Sequence, residues 1–170
     1  MSITRSPEVD IQDLFHTVRS ESTPGLFASE GPLYYGAVFG RDSLEAGEHL
    51  VGFEPYIPRY NTLLVLATLQ GLEYNPISEE EPGRIHHEYR HTRNVRDEEG
   101  SRIFRELSAK WGGTDEEMIY YGTVDATPLF TRLAVEYIKR YGDDILNDLV
   151  KGRDGVIRPF SEHLLAGLDW

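Results

Sequence analysis

Apolar positions recur at helical spacing along most of the chain, and the resulting pattern predicts helices joined by connections of alternating length. Ser6 and Pro7 open a helix, as cap and first-turn residue, whose face carries Ile11, Leu14, Phe15 and Val18. Ser22 to Gly31 reads as a turn-rich connection, and Tyr34 to Phe39 as a short extended segment between glycines. Asp42 or Ser43 can cap a helix running toward Val51. Pro58 begins an apolar helix through Leu63, Leu64, Leu66, Ala67 and Leu69, closed by Gly71. Residues 75–113 are rich in charge, Gly and Pro and read as a long irregular loop holding at most a short helix at Arg102 to Leu107. The clearest helix starts at Thr127-Pro128 and carries Leu129, Phe130, Leu133, Ala134, Tyr137 and Ile138 in two adjacent rows, ending at Gly142. Asp143 starts a short helix with Ile145, Leu146, Leu149 and Val150, Gly152 to Pro159 is a turn, and Pro159 opens a last helix through Leu164, Leu165 and Leu168. The strand alternation expected of a β fold is not visible, so the predicted class is mainly α, built of helical hairpins.

Composition narrows this picture. At 170 residues, 39% hydrophobic and 27% charged, the chain fits one globular domain over 1–170 with a real core. A formal charge of -12 argues against nucleic acid or an anionic membrane surface, which call for clustered Lys and Arg. A neutral carbohydrate ligand stays compatible with that charge. Lys110, Lys139 and Lys151 are the sole lysines, so the acid-rich, Lys-poor balance fits either a salty cytoplasm or simple genomic bias. No cysteine is present, which excludes disulfides and thiolate chemistry. The first ten residues lack the apolar stretch of a signal peptide and no apolar run approaches a membrane span, so the expected location is cytoplasmic.

Three segments could carry chemistry. In YYGTVDATPLF (Tyr120 to Phe130) a carboxylate, Asp125, precedes a helix start behind two tyrosines. It is either the cap of that helix or a group set for proton transfer; the helix dipole favours its ionised form, whereas an acid needs burial against apolar groups. In FGRDS (Phe39 to Ser43) the adjacent Arg41 and Asp42 can donate to and accept from vicinal hydroxyls, or simply begin a helix. In GRIHHEYR (Gly83 to Arg90), His86, His87, Glu88 and Arg90 fit a hydrogen-bonded loop wall better than a metal site, because neighbouring histidines diverge and no HExxH spacing occurs. Tyr34, Tyr35, Trp111, Tyr120 and Tyr121 can stack on sugar rings or fill the core. Phosphate-loop, dinucleotide and GxSxG signatures are absent, and no cofactor or metal is expected.

Taken together and in order, these segments resemble the catalytic domain of amylo-α-1,6-glucosidases, the glycogen-debranching-like glycosidases, over nearly all of residues 30 to 170. The resemblance implies a fold in which helical hairpins form part of an (α/α)6 toroid, and inverting hydrolysis of α-glucosides. It implies that Asp125 is the general acid, that Arg41 and Asp42 bind the terminal glucose, and that His87, Glu88, Arg90 and Tyr121 line the site. The base of an inverting reaction lies farther along the family's chain than Trp170, so the segment corresponds to an N-terminal half. An α-glucan or oligosaccharide is then the expected ligand, and a second copy or a complementary second half the expected protein partner. The alternative is a fragment that binds saccharide, or another protein, without chemistry.

Overall fold

A computed structural model describes Leu26 and residues 37–170. The helix expected at Ser6 to Val18 lies outside the described residues, as do Tyr34, Tyr35 and the Ser22–Gly31 turn apart from Leu26. Strand β1 (Ala37–Phe39) runs directly into helix α1 (Gly40–Leu50). A π-helical stretch, Ile57–Leu63, continues into α2 (Leu64–Thr68), and β2 (Glu88–His91) follows. Next come α3 (Glu98–Trp111), β3 (Glu117–Tyr120) and α4 (Ala126–Tyr141). A 3₁₀ turn at Asp143–Asn147, the strands β4 (Leu149–Lys151) and β5 (Ile157–Pro159), and helix α5 (Phe160–Asp169) complete the chain.

The structure corrects the fold class. The molecule is mixed α and β, with a three-stranded antiparallel sheet ordered β1-β2-β3 and a two-stranded β4-β5 ribbon, and is not a helical toroid fragment. The strands escaped the sequence pattern for a physical reason. Each has three or four residues, too few for a two-residue period to show, and β2 buries Glu88 and Arg90 where an apolar residue would have marked the strand. Within 75–113, read as irregular, β2 and the fourteen-residue α3 form. Helix α3 has ordinary signals at both ends: Asp97 Oδ1 accepts from Gly100 N–H at 2.7 Å, and Gly112 takes a positive φ of 71°. Leu149 and Val150 extend as β4 rather than continuing a helix, because the Asp143 element is a single 3₁₀ turn.

The core forms where α4 crosses α1 and the Ile57–Leu63 stretch. Phe130, Leu133 and Ala134 of α4 pack with Leu44, Leu63 and Leu66, and Phe160 of α5 meets Phe130 edge-on at 5.7 Å between ring centres. Each such fully buried Leu or Phe side chain contributes roughly 1.5–3 kcal/mol. The π-helical stretch begins where the Glu54 carboxylate accepts from the N–H groups of Tyr56 and Ile57 at 2.8 and 2.7 Å. It is held from outside by Arg59, which binds Asp148 through two 2.7 Å hydrogen bonds. Leu26 joins a small cluster with Leu50 and Ile57, and its carbonyl accepts from Ser43 Oγ at 3.2 Å.

Two buried histidines add a pH dependence. His86 is fully buried, and burial, aided by the neighbouring His87, lowers its pKa to about 3. His163 is also lowered, chiefly by burial. Gln70 gives both amide hydrogens to the Gly83 and His163 carbonyls at 2.8 and 3.0 Å, so its Oε1 accepts from His163 Nδ1–H at 2.9 Å. The folded chain thus holds fewer protons on these rings than the unfolded chain does. Their neutral-state contribution is fully present above about pH 6.5 and is lost as pH falls from there toward 3. Urea unfolding between pH 7 and pH 4 is expected to show stability falling by up to about 1.4 kcal/mol per pH unit for each histidine. His86→Leu should flatten the profile, and a pH-independent wild-type midpoint would contradict this reading.

Candidate functional site

The site is assembled by a close approach of three backbones. Gly40 N–H donates to the His87 carbonyl at 3.0 Å, and His87 N–H donates to the Tyr120 carbonyl at 2.7 Å. A Cβ on Gly40 would stand 2.1 Å from the His86 carbonyl oxygen and 3.5 Å from Ala126 Cβ. Only a residue without a side chain permits that contact. Its consequence is that Arg41, at the start of α1, and Asp125, at the start of α4, emerge side by side. Arg41 Nη1 stands 3.6 Å from Asp125 Oδ2, and Arg41 Nε stands 3.7 Å from Asp42 Oδ1. All three side chains are partly open to solvent, between 38% and 48% exposed.

Asp125 occupies the cap position of α4, yet its side chain makes no capping bond. It accepts instead from the Thr123 hydroxyl, two residues back. That bond holds the carboxyl below the usual aspartate range; partial burial opposes it, and the attraction of Arg41 adds to it. The group is therefore an ionised acceptor with a cation beside it. The loop bearing it is fixed from below by Arg84, which donates to the Thr123 carbonyl from Nη2 at 2.9 Å and from Nε at 3.3 Å. Arg84 is itself buried and also donates to the Glu79 carbonyl at 2.8 Å. Neither Thr123 nor Arg84 stood out in the sequence, although both lie inside the segments that did. The hydroxyl two places before an aspartate, in TVD, was the available signal.

The remaining expected residues divide. His87 is half-buried, edge-on to Phe39 at 5.7 Å and to Tyr120 at 5.8 Å, and so stands beside the Arg41 helix start. Glu88 lies on β2 directly between Phe39 and Tyr120 in the register, and Arg90 Nε donates to its carboxylate. Both are buried, so they form a wall under the site and do not present charges to solvent. Tyr121 is fully buried; its hydroxyl donates to the Leu69 carbonyl at 2.7 Å and accepts from Arg153. It supports the loop from inside and has no surface to offer a ligand. Trp111 and Tyr120 stack on one another at 3.7 Å, with the Lys110 ammonium 4.4 Å from the Trp111 ring centre, so these rings spend their faces on each other. Gly122 permits Tyr120 to lie across the backbone, since a Cβ there would sit 1.9 Å from the tyrosine hydroxyl. His86 and His87 diverge, one buried and one half-buried, and among the described residues no three His, Asp or Glu side chains gather as a metal cluster would.

No family model, curated protein or solved structure matches the chain. Among the described residues, no helix is long and apolar enough to cross a membrane.

Two substitutions test the assembly. Gly40→Ala should lower the urea-unfolding free energy by about 1–3 kcal/mol or more, since the new methyl meets backbone that cannot swing aside. Unchanged stability would mean that the three backbones do not meet here. Thr123→Val should move the Asp125 titration upward, as read by carboxyl carbon NMR, because the leading cause of its depression is removed. An unmoved titration would sink that assignment.

Proposed function

We propose that the chain is a glycoside hydrolase-like protein acting on α-glucosides, of the debranching type and with inversion. The observation that carries this reading is the 3.6 Å approach of Arg41 to Asp125, which unites two segments distant in the chain at one partly open position. Its support is also negative: Asp125 does not cap its helix, which removes the commonest structural use of an aspartate there. In this reading Arg41 and Asp42 hold vicinal hydroxyls of a terminal glucose, one donating and one accepting. Asp125 gives its proton to the departing glycosidic oxygen, and the C–O bond breaks as water adds to the opposite face of the sugar. His87 borders the sugar, while Glu88 and Arg90 keep the wall beneath it rigid.

An ionised carboxyl cannot act as an acid, so proton uptake must accompany substrate binding. A saccharide covering Asp125 displaces water and draws the Arg41 guanidinium toward hydroxyls. Both changes favour the protonated form. The base that activates water, a carboxyl about 6.5–9.5 Å from the acid, is assigned to a second copy or a complementary half of the enzyme. Leu149, Ile157, Leu165 and Leu168 are each more than half exposed on the β4-β5 ribbon and α5, and offer apolar surface for such association.

A second reading, saccharide binding without chemistry, draws on one observation, the lowered pKa of Asp125. An acceptor beside an arginine holds hydroxyls well and protonates nothing. Hydrolysis of isomaltose and of an aryl α-glucoside, run beside a calorimetric titration with maltose, separates the two. In an assembly that supplies the base, the proposal expects turnover that falls about 10²–10⁴-fold in Asp125→Asn. Binding without turnover would leave the second reading, and absence of both would end the saccharide assignment.

A further inference from the structure

A cleft of about 840 Å³ opens on the other face of the three-stranded sheet from Glu88 and Tyr120. Because successive strand residues point to opposite faces, Tyr89 and its register partner Ile119, with Glu117 two residues earlier, look into it. The opposite wall is Lys151 and Arg153, from the end of β4 and the turn that follows. None of Arg41, Asp42 or Asp125 belongs to the lining, so the cleft is separate from the site already described. Its volume falls in the range of small-ligand sites, roughly 300–1,000 Å³.

Arg153 gives the cleft a rigid donor. Its Nη1 donates to Glu80 Oε1 at 2.9 Å and to the Tyr121 hydroxyl. Glu80 and Tyr121 are both buried, and Glu80 is fixed in turn by accepting from Leu72 N–H at 2.8 Å. These bonds occupy one of the three guanidinium nitrogens, leaving Nε and Nη2 without a hydrogen-bond partner among the described residues. Across the cleft, Glu117 accepts a long hydrogen bond from the Tyr89 hydroxyl at 3.4 Å and is otherwise turned to solvent. Burial, with Glu117 adding to it, pushes the Tyr89 hydroxyl up to about 12, so it remains a donor. Leu69 and Ile119 supply an apolar strip between the polar walls.

The charge balance selects the ligand class. Three cationic side chains, Arg93, Lys151 and Arg153, face four carboxylates on the same lining. Asp154 is already paired with Arg158 and Glu80 with Arg153, so the charges balance, and a phosphate or carboxylate ligand meets no net positive lining in a chain of formal charge -12. A neutral molecule with many hydroxyl groups suits it, since each hydroxyl both donates and accepts and the ring C–H face meets the apolar strip. We propose that this cleft is a second binding site, for a neutral polyhydroxyl ligand of one or two sugar rings, with Arg153 as its anchoring donor. The proposal does not depend on Asp125 being an acid.

Backbone NMR titration of the full chain with maltose tests it, with glycine betaine as a small zwitterionic control. Shifts are expected at Tyr89, Glu117, Lys151 and Arg153, persisting in the Arg41→Met/Asp125→Asn double variant. Arg153→Lys keeps a cation for buried Glu80 and removes the forked donor edge. It should weaken the cleft response about tenfold or more, as loss of a charged hydrogen bond predicts. Glu117→Ala/Lys151→Ala, at two exposed positions, should weaken it similarly with an unchanged melting temperature. Maltose shifts that vanish in the Arg41→Met/Asp125→Asn variant, a response to betaine alone, or full binding by both cleft variants would each overturn the proposal. Because the cleft signals are read in the variant lacking Arg41 and Asp125, their loss is distinguishable from failure of the hydrolase reading.

Discussion

The structure depends on the absence of one side chain. At Gly40 the first turn of α1 lies against the carbonyls of His86 and His87, and His87 is in turn bonded to Tyr120. Those contacts fix the distance between the start of α1, the start of β2 and the end of β3. The side-by-side placement of Arg41 and Asp125 follows from them, because each residue lies within a few positions of the junction. A larger residue at position 40 would separate α1 from the sheet, and the ion pair with it. The junction also explains why such a short sheet is stable. Three-residue and four-residue strands contribute few ladder bonds, but each of these strands is continued by a helix or loop that packs on the same core.

The electrostatics around Asp125 have two layers with different consequences. Thr123 and Arg41 touch the carboxylate and keep it ionised in the free protein. Arg84 touches the Thr123 carbonyl and governs where the carboxylate stands, without approaching it. A buried arginine that spends its donors on two carbonyls and the Glu81 carboxylate is a positioning device, since leaving such a group unpaired would be costly. The contrast with Glu88 and Arg90 is informative. Those two neutralise each other beneath the surface, so the wall they form is rigid and electrically quiet. Asp125, by contrast, keeps a partly open carboxylate between Thr123 and Arg41.

Much of the helical framework was legible. The α4 helix was visible because its apolar rows are long and its ends carry ordinary signals, Thr127-Pro128 near the start and Gly142 after it. The final helix follows Pro159 as expected, whereas α1 starts at Gly40, ahead of the expected cap at Asp42 or Ser43, with Phe39 at its cap position and no capping side chain. The strands were not visible, because each is only three or four residues long and β2 buries Glu88 and Arg90, which hides the period. The site was legible as three segments, but their roles were not. Spacing alone could not show that Tyr121 points inward to Arg153 while Tyr120 stacks on Trp111, although the two are adjacent. Nor could it show that Asp125 is bonded to Thr123 instead of capping α4.

That alternation at Tyr120 and Tyr121 links the two faces of the sheet. Tyr120 belongs to the face shared with Phe39, Glu88 and His87, while the Tyr121 hydroxyl reaches the Arg153 guanidinium on the wall of the opposite cleft. The same short run then passes through Gly122 and Thr123 to Asp125. Arg84 and Arg153 hold this run at Thr123 and Tyr121 respectively, one by its carbonyl and one by its hydroxyl. A strand end pinned from both sides cannot shift at one position without straining the other. The run from Tyr120 to Asp125 is thus tied to the interior at Tyr121, which accounts physically for a tyrosine that is wholly buried yet spends its hydroxyl on two polar partners.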